Sequence, residues 1–91
     1  MDTTDKIRET LSNMTELLIE KNIRYGNSAL NPPNIFSKLP SEDSICIRLD
    51  DKLNRIKSSD QLRKNDVSDM IGYLTLLCVS RGWTDFQELI D

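Results

Sequence analysis

The chain repeats its apolar residues at helical spacing in three segments, and no run of alternating apolar and polar residues reads convincingly as a strand. The first segment predicts a helix from about Thr4 to Tyr25, which Gly26 ends. Its apolar residues recur at i, i+4, i+7 and i+11, so we expect them to form one buried stripe. The stripe consists of Ile7, Leu11, Met14 and Leu18.

The second and third segments predict two further helices. One begins at Ser41, where the sequence Ser-Glu-Asp favours a helix N-terminus. The other runs from about Asn65 to Ser80 and ends at Arg81-Gly82. The apolar residues that we expect to face inward are Ile45, Leu49, Leu53 and Ile56 on the second helix and Val67, Met70, Ile71, Leu74, Leu77 and Cys78 on the third.

All three prolines fall between the first two helices, in the stretch NSALNPPNIFSKLP, which predicts a loop. The loop contains the apolar residues Ile35, Phe36 and Leu39, which we expect to pack down onto the helices. After the third helix, Thr84 and Gln87 have the spacing of a capping box and predict a short final helix.

The length of 91 residues, without an internal repeat, fits a single domain over residues 1–91. The predicted fold class is all-α, a compact bundle of three main helices plus a short C-terminal helix. Because so short a chain buries only a modest core, we expect it to share a core with other copies, as a homo-oligomer of dimeric or higher order.

Composition excludes several classes of function. The sequence has no histidine, which removes histidine general bases and histidine-ligated zinc and leaves only carboxylates to hold a hard ion such as Mg²⁺. No apolar run approaches the roughly 20 residues that span a bilayer, so we expect a cytoplasmic protein without a membrane partner. Cys46 and Cys78 are expected to be reduced residues in apolar surroundings.

The net charge of −3 is unevenly distributed along the chain. Residues 1–20 carry five acidic and two basic residues, residues 48–64 carry six basic and three acidic residues, and residues 65–91 carry five acidic residues and one basic residue. A basic middle between acidic ends suits a small anionic ligand better than a long nucleic acid, which needs a broad positive face. A solvated helix face is the alternative interpretation.

Polar residues crowd the end of the first predicted helix. Asn22 and Tyr25 continue its apolar stripe toward the core, and Lys21 lies at the edge of the stripe. Inward polar groups need partners, which come either from neighbouring backbone, as in a simple helix cap, or from a ligand. Gly26 is likewise either a C-cap or a point where backbone N–H groups approach a phosphate.

The two later helices add a second set of polar residues. Lys52 flanks the apolar stripe of the second helix, while Asp51 and Arg55 can pair on its surface. On the third helix, polar residues at i, i+3 and i+7 form a flank beside the core, namely Asp66, Asp69 and Tyr73. The two carboxylates can share a magnesium ion, orient a lysine across the helix interface, or simply favour the positive end of the helix.

Three short motifs occur in order: Lys-Asn-x-x-Tyr-Gly at 21–26, Arg-x-x-x-Lys-x-x-Arg-Ile at 48–56 and Asp-x-x-Asp-x-x-x-Tyr at 66–73. Over roughly residues 10–80 they resemble the phage-associated "nucleotide modification associated" domains, which look like short relatives of MazG-type all-α nucleoside triphosphate pyrophosphatases. The resemblance implies a helical bundle of two or more chains that holds a nucleotide near a helix interface, in the host-cell cytoplasm if the chain is phage-encoded.

One part of the MazG pattern is missing. MazG-like hydrolases combine an early Glu-x-x-Glu pair with a later acidic pair, and together these bind the magnesium that supports pyrophosphate cleavage. Here only the later pair, Asp66 and Asp69, is present, because Glu16 and Glu20 have a different spacing and face away from the predicted core. A partner chain could supply the missing acids.

Two functions follow from these residues, with a plain helical interaction module as a third alternative. The first is a phage-type sponge that sequesters a nucleotide, such as a cyclic di- or oligonucleotide immune signal, without a cofactor and without cleavage. The second is a Mg²⁺-dependent nucleoside triphosphate pyrophosphatase in which Asp66 and Asp69 hold the metal. The candidate ligand-binding residues are Lys21, Asn22, Arg24, Tyr25, Gly26, Asn27, Ser28, Arg48, Lys52, Arg55, Asp69 and Tyr73.

Overall fold

A computed structural model describes residues 1–90, which fold into three α-helices and one short 3₁₀ turn without any strand. The helices are α1 (Thr3–Arg24), α2 (Ser41–Ser58) and α3 (Lys64–Ser80), and the 3₁₀ turn covers Gln87–Leu89. The predicted all-α class is confirmed, and the three predicted helices lie where the sequence indicated. Within residues 1–90, no helix is both long and apolar enough to cross a membrane.

Local side-chain and backbone bonds define both ends of α1. The Asp2 carboxylate accepts a hydrogen bond of 2.9 Å from the backbone N–H of Asp5, which satisfies one free donor of the first turn. At the other end Gly26 has a φ of 60°, and the N–H of Asn27 donates to the carbonyl of Asn22 at 3.0 Å. This is a Schellman motif, in which Gly26 follows the C-cap residue Tyr25 and supplies the positive φ that ends the helix.

Ion pairs and close contacts connect the three helices. Arg81, just after α3, donates to the Glu42 carboxylate near the start of α2 at 2.9 Å, so these two helices run antiparallel. Helix α1 approaches α3 closely at Gly72, where an added Cβ would lie 2.9 Å from Cδ2 of Leu18. Glycine at this position therefore permits the α1–α3 contact.

The hydrophobic core within one chain is small. Among residues 1–90, only Ile45 is a buried hydrophobic residue, and α1 contributes no buried residue. The predicted stripes are therefore only partly covered, and the prediction of burial is wrong for Ile7, Leu11, Leu53, Val67 and Leu74, which are exposed. The reason is that no neighbour from the described part of the chain covers these positions.

The loop between α1 and α2 also differs from its prediction. Phe36 is 98% exposed, and Ile35 and Leu39 are exposed as well, so these apolar residues do not pack onto the helices. The side-chain hydrogen bonds of this loop join near neighbours, such as the ammonium of Lys38 and the carbonyl of Asn34 at 2.6 Å. This part of the loop therefore turns on itself instead of lying over the helices.

The segment after α3 forms a shorter helix than the capping box predicted. A single 3₁₀ turn starts at Gln87. The backbone N–H of Gln87 donates a hydrogen bond of 3.0 Å to the carboxylate of Asp85, and not to the hydroxyl of Thr84. Both cysteines are free, Cys78 is half-buried, and Cys46 is exposed, so the expectation of apolar surroundings is wrong for Cys46.

Candidate functional site

Two lysines and two aspartates join the three helices. Lys52 of α2 bonds Asp69 of α3 at 2.9 Å and lies 3.6 Å from Asp66 one turn earlier. Lys21 of α1 donates to the other carboxylate oxygen of Asp69 at 3.4 Å. The side chains of Lys52 and Asp66 are only 14% and 9% exposed, so the α2–α3 part of this lysine–aspartate cluster is shielded from water, whereas Lys21 at its edge is 44% exposed.

The cluster changes the acid–base behaviour of its central pair. Burial acts to raise the pKa of Asp69, but the hydrogen bonds and charges of Lys52 and Lys21 outweigh it and hold that pKa below its ordinary value. The hydrogen bond to Asp69 raises the pKa of Lys52, against the effects of burial and of the nearby Arg55 charge. Both groups are therefore charged throughout the neutral pH range.

A groove lies beside the cluster, between the C-terminal half of α1 and α3, and we call it the α1–α3 groove. Its volume is about 480 Å³, which falls within the range of small-ligand pockets. Its lining residues are Leu17, Leu18, Lys21, Asn22, Tyr25, Ser28, Ala29, Arg48, Ser68, Asp69, Gly72, Tyr73, Thr75 and Leu76. The charged groups among them are two cations and one anion, so the lining carries a net positive charge.

Seven of the twelve candidate ligand-binding residues line this groove. They are Lys21, Asn22, Tyr25, Ser28, Arg48, Asp69 and Tyr73. Residues from three separate segments of the sequence thus meet at one place, with Arg48 contributed by α2. Within residues 1–90, Arg48 has no ion pair, in contrast to Lys21.

The other five candidates lie outside the lining of the groove. Arg24 pairs with Glu20 on the exposed face of α1 at 2.9 Å, because the two residues are one turn apart. Gly26 and Asn27 adopt positive φ angles and form the turn that ends α1. Lys52 is held by the aspartates, and Arg55 is exposed on α2.

The prediction that two candidate side chains point toward the core is wrong. Asn22 and Tyr25 were expected to point toward the core, but both are exposed, and Tyr25 retains 68% of its surface. They line the rim of the groove because α1 rests on α3 at Leu18 and the helix end is left uncovered. A ring in this position is free to contact a ligand on one face.

Several residues of the groove carry no polar signal and were not identified from the sequence. Leu17, Leu18, Ala29 and Leu76 form apolar parts of the wall. The one signal that could have located the groove is Gly72, because a glycine inside a predicted helix often marks the close approach of another element. That approach is the contact with Leu18.

The two aspartates do not fit a magnesium site as they stand. Mg²⁺ requires octahedral oxygen ligands, and its carboxylate partners must be free to face the ion. Both Asp66 and Asp69 instead face the ammonium group of Lys52, at 3.6 and 2.9 Å. No group of three or more metal-binding acidic or cysteine residues forms within the part of the chain that the structure describes.

Of the three roles that the spacing of Asp66 and Asp69 allows, the structure thus shows the orientation of a lysine across the helix interface.

Comparisons of the chain with protein families, with curated proteins and with solved structures found no match.

Proposed function

We propose that the α1–α3 groove binds a small nucleotide and that the protein sequesters this ligand without cleaving it. The observation that carries the proposal is the meeting of Arg48, Tyr25 and Tyr73 in one groove of about 480 Å³. A cation without an ion pair beside two aromatic rings matches the two chemical parts of a nucleotide, its phosphate and its base.

Each residue has a distinct role in this proposal. The guanidinium of Arg48 pairs with a phosphate through charge-assisted hydrogen bonds. The exposed ring of Tyr25 stacks on a base, and the amide of Asn22 bonds to the base edge. Lys21 adds a second positive charge after exchanging its long contact to Asp69, at 3.4 Å, for a phosphate.

The lysine–aspartate cluster supports binding over hydrolysis. In the alternative function, a Mg²⁺-dependent pyrophosphatase, the ion would have to displace Lys52 from both carboxylates. The cyclic di- or oligonucleotide class, and the role of a phage-type sponge, rest on the sequence resemblance alone. The homo-oligomer expected from the small core is a separate proposal and does not depend on this groove.

A titration with site variants tests the groove. We expect Arg48→Ala to weaken nucleotide binding about ten- to a hundredfold, because bonds to a charged group contribute roughly 1.5–3 kcal/mol. Lys57→Ala is the matched control, since Lys57 is an exposed cation of the same helix outside the groove. Isothermal titration with cyclic dinucleotides, cyclic oligonucleotides and nucleoside triphosphates provides the measurement, and equal affinities for both variants would contradict the proposed site.

A further inference from the structure

Asp69 is the one acidic residue among the described residues that line the α1–α3 groove. Its side chain is 21% exposed, so the carboxylate is largely buried but still forms part of the groove wall. Its two oxygens have different partners, because Oδ2 lies 2.9 Å from the ammonium of Lys52 and Oδ1 lies 3.4 Å from that of Lys21. The contact of Oδ2 is therefore short and shielded, whereas the contact of Oδ1 is long and made by a lysine that is partly exposed.

Nucleotide binding leaves Oδ1 in need of a new partner. In the proposed function Lys21 exchanges its contact with Asp69 for a phosphate, whereas Lys52 does not line the groove and stays on Oδ2. The ammonium of Lys52 continues to favour the charged form of the carboxylate. A largely buried, charged acceptor without a donor costs free energy, so a new donor has to replace Lys21 at Oδ1.

The neighbouring hydroxyl groups of α3 do not supply this donor. Ser68 donates its hydroxyl proton to the carbonyl of Asn65 at 3.2 Å. Thr75 donates its hydroxyl proton to the carbonyl of Ile71 at 2.7 Å. Both protons are thus used within α3, although both side chains line the groove. The ligand itself is the remaining source of the donor.

The negative charge of Asp69 also determines which part of a nucleotide lies beside it. A carboxylate repels a phosphate, and the phosphate has its own partner in Arg48. The base is therefore the part that faces Asp69. Tyr73 lines the same groove four residues later on α3, where the Cβ atoms of such a pair are about 6 Å apart. A base that contacts the ring of Tyr73 is thus within reach of the carboxylate.

The four common bases differ in how well they match a carboxylate, which only accepts hydrogen bonds. Guanine presents two adjacent donors on its Watson–Crick edge, the N1–H and the 2-amino group. Adenine and cytosine each present one amino donor beside a ring nitrogen that accepts. Uracil presents one N–H between two carbonyl oxygens, which a carboxylate repels. Guanine therefore satisfies the acceptor best.

We infer that the groove prefers guanine nucleotides and that Oδ1 of Asp69 accepts hydrogen bonds from the N1–H and the 2-amino group of the base. The inference rests on the proposed function and names the base that the groove selects. Asp69 is then a specificity-determining residue as well as a member of the lysine–aspartate cluster. A site that bonds a ligand donor in this way rejects analogues that lack the donor, because its own polar group is then left unpaired.

Titration of the native chain with GTP, ITP and ATP tests the inference without any variant. ITP differs from GTP only in lacking the 2-amino group, and ATP lacks the paired donors altogether. We expect the affinity to fall about tenfold from GTP to ITP and about a hundredfold from GTP to ATP, since each bond to a charged group contributes roughly a factor of ten. Cyclic di-GMP and cyclic di-AMP provide the same comparison for a cyclic ligand.

The titration separates failure of the inference from failure of the proposed function. Binding of guanine and adenine nucleotides with equal affinity would overturn the guanine preference and leave nucleotide binding in place. Absence of binding by all of these ligands would contradict the proposed function and the inference together.

Two aspartate variants separate the role of Asp69 in the groove from its role in the cluster. Asp69→Asn should reduce the ratio of GTP affinity to ATP affinity toward one, because an amide donates as well as accepts. Asp66→Asn is the matched control, since Asp66 also lies 3.6 Å from Lys52 but does not line the groove. It should keep the native ratio. An unchanged ratio in Asp69→Asn, or an equal loss in both variants, would overturn the assignment.

Discussion

At the scale of single residues, the central feature is Lys52, which spans from α2 to two carboxylates of α3. The sequence located both aspartates on one turn because helical spacing is a local property. It could not choose between a metal ion and a lysine as their partner, since that choice depends on where α2 lies. The contact of 2.9 Å between Lys52 and Asp69 answers that question.

Removal of the Lys52 charge should destabilise the fold. Lys52→Met keeps most of the side-chain volume but leaves Asp66 and Asp69 without their shared partner. We expect the free energy of unfolding to fall by about 3 kcal/mol, the lower end of the range for a broken buried pair. Urea unfolding at a fixed protein concentration measures the change, with the exposed Lys57→Met as the control. Equal stability of the two variants would show that the cluster contributes nothing.

The same cluster predicts how stability depends on pH. The pKa of Asp69 is lowered in the folded state, so its contribution is complete above the ordinary value of about 3.9 and is lost as the pH falls through the folded value. The pKa of Lys52 is raised, so its contribution is complete below about 10.4 and is lost as the pH rises through the folded value.

Asp69→Asn tests the acid side of this dependence. The variant should be less stable than the native chain at neutral pH, and the difference should shrink as the pH falls below about 4. Urea midpoints across this pH range provide the measurement. Asp50→Asn, an exposed aspartate of α2, is expected to show little difference at any pH. A pH-independent gap between Asp69→Asn and the native chain would contradict the assigned ion pair.

At the scale of helices, the positions of the helices could be predicted from the sequence, but the burial of their apolar residues could not. The ends of α1 follow from Asp2 and Gly26, which act through bonds to residues within one turn. Burial of Leu11 or Leu74 depends on which neighbour covers the helix face, and no local pattern contains that information. The exposed Phe36 shows the same limit for a loop.

Gly72 is the residue at which helix packing is most directly testable. Alanine there should change stability by less than about 1 kcal/mol, because its helix propensity offsets a small shift of Leu18. Leucine should cost about 1–3 kcal/mol by forcing α1 away, and nucleotide affinity should fall with it, since α1 carries Lys21 and Tyr25. Unfolding and titration of both variants measure these effects. A leucine variant that matches the alanine variant in both would disprove the close α1–α3 contact.

At the scale of the whole molecule, a thin core and a polar groove occupy different parts of the same small bundle. The core, with Ile45 as its buried hydrophobic residue within residues 1–90, is too small to explain the fold without further burial.

The most direct test of the central claim is to identify what the protein releases after binding. The purified chain is incubated with cyclic dinucleotides, cyclic oligonucleotides and nucleoside triphosphates, with and without Mg²⁺, then separated from free ligand and denatured. We predict that an intact nucleotide is released and that Mg²⁺ makes no difference. Monophosphate and pyrophosphate formed only with Mg²⁺ would contradict sequestration, and the absence of any bound nucleotide would contradict the proposed role of the groove.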